Sequence, residues 1–410
     1  MPQFSEANLL RLVSELLHEE FKNSPDARAR YLPPPESWSS DTFITMTDTS
    51  SGSLSLEADS FEFVTLAFAV TRFFQLQDSG LEDYLLRYRR LGEWCQVIAE
   101  ARTQGAENIG FSSSGTTGPS KTCVHSWSTL MGEVEFFAQL FSTLPGFDIK
   151  RVITLVPGHH LYGFLFGLLL PEYRKLPVIS GLKAIGMAQA RRLDAGDLIV
   201  GFPFMWRELS RQGASFPPGV VGLTSTAPCD PTIIANLKGQ GLEQMMEIYG
   251  SSETGGIGYR LAPDQPFELL TLWDRGSDGQ SLTHTSTGRE LALEDRVRWH
   301  SERQLTLIGR VDKALQVGGI NVYPYAIAER LQSLHSVAQA SVRPTGAEGS
   351  ERLKAFIVPA SPDLTKAELE AELRRWCNAN LSTSETPISF TFGTQLPKGN
   401  LGKAADWTAK

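Results

Sequence analysis

Cysteine is scarce in this chain. Cys95, Cys123, Cys229 and Cys377 are the only four among 410 residues. No two form a CxxC pair, so neither a zinc knuckle nor a disulfide framework is expected. Long apolar runs are lacking too. The longest, Leu161–Pro171, is about half the roughly 18–20 residues needed to cross a bilayer, and fits a buried helix. Met1–Glu6 lacks the basic stretch and apolar core of a secretory leader. Excess positive charge is absent: 38 Lys and Arg against 46 Asp and Glu leave −8. That excludes an overall basic field for gripping nucleic acid. No internal repeat or long low-complexity tract is visible. What is present is a hydrophobic fraction of 41% with 20% charged residues, the balance of an ordinary globular protein. The expected compartment is the cytoplasm, and the length predicts about two or three domains.

The first hundred residues read as helical. Leu9, Leu10, Leu12, Val13, Leu16 and Leu17 follow a helical stripe, and Leu32-Pro-Pro-Pro35 ends it. Residues 47–55 are rich in Ser, Thr and Gly and read as a loop. A second helix is expected from Asp59 to about Leu76, capped by Asp59 or Ser60, with Phe63, Val64, Leu66, Ala67, Val70, Phe73 and Phe74 on its apolar side. A third is expected over Leu81–Ala101. From about residue 108, short β-like runs alternate with helical stretches. Arg151–Val156, Leu198–Val200 and Gly219–Thr224 read as strands. Such alternation predicts an α/β sheet core. After Gly288, strand signals at Leu305–Ile308 and Leu353–Pro359 and a helix from Pro362 or Thr365 to Asn380 predict a small α+β C-terminal domain.

The segment most suited to chemistry is Ser112-Ser-Ser-Gly-Thr-Thr-Gly-Pro-Ser-Lys121. Its glycines let backbone N–H groups approach polyphosphate oxygens, its hydroxyls donate further bonds, and Lys121 adds charge. It is not a Walker A loop, because Pro119 follows Gly118 where lysine is needed. Taken alone, an ordinary Ser/Gly turn would explain it. It does not stand alone. Tyr249-Gly-Ser-Ser-Glu-Thr254, Leu307-Ile-Gly-Arg-Val-Asp312 and Pro397-Lys-Gly-Asn-Leu-Gly-Lys403 follow in that order.

These four segments together resemble the adenylate-forming superfamily: acyl- and aryl-CoA synthetases, peptide-synthetase adenylation domains and luciferases. The resemblance spans residues 112–403 and implies a large α/β domain with a small mobile C-terminal domain. It implies a phosphate loop at Ser113, Ser114, Gly115, Thr116, Thr117 and Gly118 with Lys121. It places Ser225, Thr226 and Ala227 beside the adenine and stacks Tyr249 on it. Gly250 and Ser251 lead to Ser252, whose hydroxyl serves the α-phosphate, and to Glu253, which holds Mg²⁺. Asp295 takes the ribose, Arg310 is a second ribose or phosphate ligand, Asp312 is the hinge, and Lys403 reaches the carboxylate and α-phosphate. Pro157-Gly-His-His-Leu-Tyr-Gly163 resembles the family's gate segment. That makes His160 the gate, with Tyr162 and Gly163 beside the acid; Phe164, Leu165 and Phe166 are expected to add apolar pocket wall. The bland alternative for the histidines is that one caps or packs against a helix.

The chain departs from the family pattern in places. Ser225-Thr226 replaces Gly-Gly, Leu293-Glu294 replaces Thr-Gly, Pro-Ser-Lys121 replaces Pro-Lys, and Gln316 stands where a lysine is common. Pro324 and Ile327 fit, but the acidic flank expected near them is gone. Only about a hundred residues precede the phosphate loop, fewer than the family's N-terminal subdomain. Instead, Leu56–Val64 resembles the Asp-Ser-Leu segment of acyl carrier proteins. Two readings stay open there. Ser60 carries phosphopantetheine at a helix N-terminus, or Asp59-Ser60 is a cap and the bundle replaces the subdomain. Phe61, Val64, Phe68 and Phe74 are expected to dock that bundle on the large domain. The short chain also resembles stand-alone ligases of aryl-polyene pigment pathways.

The resulting expectation is a helical N-terminal region over 1–105, a large ATP- and acid-binding domain over 106–311 and a mobile domain over 312–410. The enzyme adenylates an aromatic or modest fatty acid with MgATP and passes it to CoA or a carrier-protein pantetheine thiol. The alternatives are a non-catalytic or regulatory nucleotide-binding relative and an amino-acid-activating module. The latter usually places an aspartate in the pocket, and Pro157–Leu170 has none.

Overall fold

Along the central strands, neighbouring side chains part to opposite faces. Val152, Leu198, Val200, Leu223 and Met246 enter one core, while Ile153, Ile199 and Met245 enter a second. This period of two is what a sheet covered on both faces requires. The computed structural model describes residues 4–24, 32–45, 54–112, 122–310, 315–318, 320–345, 352–361, 365–397 and 407. Nine strands form the main sheet. Their order is Asp295–Trp299, Gln304–Arg310, Phe267–Leu269, Gly255–Arg260, Gln244–Ser251, Val221–Thr224, Asp197–Gly201, Arg151–Thr154 and Val178–Ile179. The last five are mutually parallel; the first five pair antiparallel.

Helices Gly181–Gln189, Pro203–Arg211 and Pro231–Gly239 cover the second core. The first core is larger. It joins α1 (Glu6–Asn23), α2 (Ser60–Phe74), α3 (Leu91–Thr103) and α4 (Trp127–Thr143) to the sheet. Between the layers runs Leu161–Arg174, α-helical at both ends with a π turn over Leu165–Leu169. Its apolar residues point all round, which only a fully enclosed helix tolerates. A smaller, separate core holds Val317, Leu331, Ile357 and Leu373. It is built from strands Val337–Thr345, Arg352–Pro359 and Ser389–Phe392 with helices Pro324–Gln332 and Lys366–Asn380.

Local signals predict local structure well. Asp59 caps α2 through a reciprocal box: its side chain accepts from Glu62 N at 2.7 Å and Glu62 accepts from Asp59 N at 3.0 Å. Thr365 caps its helix by accepting from Glu368 N at 3.3 Å. Two expectations need correction. The third helix starts at Leu91, not Leu81. Residues 88–90 are not helical, and non-local bonds from Ile44 N to Arg89 O, from Leu91 N to Thr42 O and from Gly92 N to Ser40 O, at 2.8, 3.0 and 2.9 Å, tie the chain down at the helix start. Likewise, Phe61, Val64 and Phe68 do not dock α2; they are 80%, 53% and 62% exposed. Phe63, Leu66, Val70, Phe73 and Phe74 do that instead, on the opposite face. The loop expected over 47–55 lies mostly outside the described residues, and Ser55–Glu57 is a strand paired with Phe43–Thr45. All four cysteines are buried free thiols. No helix among the described residues is long and apolar enough to cross a membrane.

Candidate active site

Four parallel strands end side by side, and the motif residues lie just beyond their carboxyl ends. Thr154 leads to Pro157–Gly163, Thr224 to Ser225-Thr226-Ala227, and Gln244–Ser251 carries Tyr249 into Ser252 and Glu253. In open α/β sheets that edge is where ligands bind. The Tyr249 hydroxyl donates to Asp295 Oδ2 at 3.0 Å, so residues 46 positions apart meet. The Tyr249 ring is nearly buried and lies 5.7 Å from the Phe267 ring. Asp295 pairs in register with Arg310 across the antiparallel edge.

The Ser251–Glu253 turn folds on itself. Ser251 Oγ accepts from Glu253 N at 3.2 Å and Thr254 N at 3.3 Å, and Thr254 Oγ1 accepts from Ser251 N at 3.1 Å. Gly250 has a backbone reason: a Cβ there would lie 2.2 Å from Gly255 O. Ser225 Oγ donates to Ile248 O at 2.8 Å. Thr226 has φ +77°, a left-handed conformation rare for a β-branched residue. The family's glycine at this position would adopt it freely; here the surrounding loop imposes it on threonine, a strain of the kind found at functional sites. Glu247, paired with Arg260 at 2.7 Å, accepts from Cys229 N at 3.2 Å and ties down that loop.

His160 begins the buried helix as its N-cap, but its side chain makes no capping bond. The His159 ring lies 4.4 Å away. Both His159 nitrogens lack hydrogen-bond partners among the described residues, and burial, then His160, push its pKa down to about 3. The Tyr162 hydroxyl is buried without a partner there too. Gly163 is required because a Cβ would meet Pro157 O at 2.0 Å. Phe164, Leu165 and Phe166 do not form pocket wall as expected. They are core: Phe164 packs on Phe73 and Phe111, and Phe166 on Phe137, with ring centroids 6.0, 5.2 and 4.9 Å apart. Helix α1 braces this segment. Arg11 donates to Gly167 O at 2.7 Å inside the π turn, Glu15 accepts from Gly158 N, and Ser5 and Asn8 bond Glu172.

Sequence reasoning missed His125 and Glu133. His125 Nε2 lies 2.7 Å from Ser252 O. Both Glu133 carboxylate oxygens accept from Gly256 N, at 3.0 and 3.1 Å. No local pattern marks either residue, since each acts on a partner more than a hundred positions away. Segments 113–121, 311–314 and 398–406, with Lys121, Asp312 and Lys403, lie outside the described residues. An open groove of about 470 Å³, lined by residues including Glu135, Tyr173 and Arg174, contains no motif residue.

The decisive comparison is in sequence. The chain is 38% identical over 350 residues to a 4-coumarate–CoA ligase of Halorhodospira halophila, covering 85% of this chain and 88% of that one. A 4-coumarate–CoA ligase of Cereibacter sphaeroides is 38% identical over 356 residues, covering 86% and 84%. This chain belongs to the adenylate-forming acyl- and aryl-CoA synthetases. As such it is an enzyme, an ATP-dependent acid–thiol ligase working through an acyl-adenylate. No protein-family model matches the chain. Solved structures share the fold. An o-succinylbenzoate–CoA synthetase double mutant of Bacillus subtilis has a TM-score of 0.59 at 16% identity, covering 96% of this chain and 90% of that one. The amide bond synthetase McbA of Marinactinospora thermotolerans has 0.58 at 15%, covering 96% and 92%.

One prediction arises from the turn's support. Burial pushes the Glu133 carboxyl up to about 7, against the Gly256 N–H that favours its charged form. A group whose folded pKa exceeds its unfolded value contributes stability below the unfolded pKa, near 4.5, and loses it as pH rises through the folded one. Relative to Glu133→Gln, which does not titrate, the wild type should lose on the order of 3 kcal/mol between pH 4.5 and 8, at about 1.4 kcal/mol per tenfold change in proton affinity. Urea unfolding of both proteins across that range is the measurement; parallel profiles would refute it.

Proposed function

We propose that this chain is an aryl-acid–CoA ligase whose acid is a hydroxycinnamate of the 4-coumarate kind. The observation that carries this reading is the 38% identity over most of the chain to relatives of that name. A weaker likeness, 26% over 313 residues, to a 3,4-dihydroxybenzoate–[aryl-carrier protein] ligase of Bacillus anthracis supports the aryl class and favours a carrier thiol as second acceptor. The cytoplasm is the compartment that suits four reduced, buried thiols.

The chemistry has two steps. A carboxylate oxygen attacks the α-phosphorus of ATP and pyrophosphate leaves. A thiolate then attacks the acyl carbon and AMP leaves. Residues 106–311 hold the nucleotide and acid, residues 312–410 rotate between the steps, and residues 1–105 brace the gate. Ser113–Gly118 and Lys121 cradle the outer phosphates. Tyr249 offers its ring to the adenine beside Ser225-Thr226-Ala227, and its bond to Asp295 fixes the carboxylate for the ribose, with Arg310 at the adjoining register position. Ser252 serves the α-phosphate. Glu253 is half-buried on a tight turn, a single hard oxygen donor of the kind Mg²⁺ takes alongside phosphates and water. No cluster of three or more His, Cys, Asp or Glu among the described residues competes for it. Bound Mg²⁺ supplies charge neutralisation on the phosphates. His160, unbonded as a cap, is free to gate the acid and thiol.

The test is ATP–pyrophosphate exchange with hydroxycinnamates, benzoates, fatty acids and amino acids, followed by acceptor assays with CoA and a loaded carrier protein. Exchange should be fastest with hydroxycinnamates, and CoA should be acylated. No exchange by folded protein with Mg²⁺, or a clear preference for fatty or amino acids, would overturn the reading.

A further inference from the structure

The hairpin Asn108–Ser112/Thr122–Ser126 forms a two-stranded sheet of its own, outside the nine-stranded one. Its register pairs Ser112 with Thr122, so the two strands emerge directly from the segment 113–121. One side of the hairpin is anchored in the core by Phe111, which packs on Phe73 and Phe164 at 5.4 and 5.2 Å. The same face carries His125, whose register partner is Ile109, and a hydrogen bond joins it to the turn that follows the strand Gln244–Ser251. The ring is 5% exposed and stands edge-on to Phe111 at 5.9 Å. Its Nε2 lies 2.7 Å from the Ser252 carbonyl. A carbonyl only accepts, so Nε2 carries the hydrogen. Ser126 then caps α4, accepting from Thr129 N at 3.2 Å, and two turns on Glu133 takes Gly256 N on both oxygens. One continuous stretch thus grips the turn around Glu253 at both ends, by the Ser252 carbonyl and the Gly256 amide.

We propose that His125 is a positioning residue for adenylation, fixing the Ser252–Glu253 turn against the hairpin strand Thr122–Ser126. This rests on the nucleotide roles proposed above for that turn. The physical reason is that adenylation holds the α-phosphate and the departing pyrophosphate at once. Both must be correctly spaced, and misplacing reacting groups by about 1 Å can cost roughly 10²-fold. Thiol transfer from acyl-AMP involves no pyrophosphate, so it does not need that spacing. Glu133 shares the clamp but holds only the far end of the turn.

The test compares His125→Leu, which lacks a donor, with His125→Gln, whose amide nitrogen offers one at similar reach. Thermal unfolding of both precedes the kinetics. For His125→Leu, the KM for ATP in pyrophosphate exchange should rise about tenfold and the exchange kcat fall about tenfold, the scale of one lost hydrogen bond. Thioester formation from supplied acyl-AMP should change by less than about threefold, and His125→Gln should recover most of the loss. If His125→Leu does not fold, His125→Asn, whose donor is too short to reach Ser252, replaces it under the same criteria. Unchanged ATP kinetics, equal losses in both half-reactions, or no rescue by glutamine would sink the inference while leaving the ligase reading intact. If the wild type itself shows no exchange, that reading fails. Calorimetric titration with ATP then decides the inference, and equal affinities for wild type and His125→Leu would overturn it.

Discussion

Lys403→Ala should slow acyl-AMP formation by about 10²–10³-fold while leaving thioester formation from supplied acyl-AMP within a few-fold of wild type. The magnitude is that of removing one group aimed at charge developing in a transition state. Attack of a carboxylate on the α-phosphorus gathers negative charge on oxygens that already carry it, and a positioned ammonium offsets that charge. In the proposed mechanism the second step does not draw on Lys403, because the rotation of residues 312–410 carries it away before the thiol attacks. An isolated lysine near a C-terminus is ordinarily a solvated charge. Pro397, Lys398, Gly399, Asn400 and Gly402 around it set this one apart. Single-turnover measurement of each half-reaction is the check. Equal losses in both would contradict the proposed role, and so would full activity in both.

Asp312→Pro should give the opposite pattern: adenylation retained and thiol transfer lowered by about 10²-fold or more. In the proposed mechanism the small domain rotates about Asp312 between the steps, a rigid-body change absorbed by a few backbone dihedrals. Proline locks φ near −65°, and imposing it where another value is needed costs about 3 kcal/mol or more. At about 1.4 kcal/mol per factor of ten in rate, that is roughly 10²-fold. A variant with both steps at wild-type rates would remove Asp312 from the hinge. Together the two substitutions form a crossed pair. A protein that merely unfolds would lose both steps in either variant, so the crossed pattern itself guards against that explanation.

Some of this protein could be read directly from the chain. Asp59 and Thr365 cap helices as their neighbours Glu62 and Glu368 imply, since a cap needs only residues three positions away. Strands at Arg151–Thr154, Asp197–Gly201 and Val221–Thr224 follow from short apolar runs between turns. Leu161–Pro171 reads as too short for a membrane and long enough for a buried helix, and it is one. Where reading failed, the deciding partner was distant. Leu81–Arg90 has helical periodicity, yet Thr42 and Ile44 claim the backbone at residues 89–91. Phe61, Val64 and Phe68 are as apolar as Phe63, Leu66, Val70 and Phe73 on the same helix, yet only the latter four face the core.

The order of the motif segments belongs to the sequence itself, and so do the residue types in them that suit the proposed roles: small hydroxyls and glycines for phosphate, one carboxylate for a cation, one lysine for developing charge. These properties belong to residue types and close spacing, and close spacing survives folding unchanged. Tertiary structure alone decided that Tyr249 meets Asp295, that Thr226 is held left-handed, that Phe164 and Phe166 belong to the core, and that His125 and Glu133 grip the turn at Ser252 and Gly256. Each of these joins, strains or hides groups through the arrangement of strands and layers. Such an arrangement follows from burying both faces of one sheet at once, a condition that no window of sequence contains.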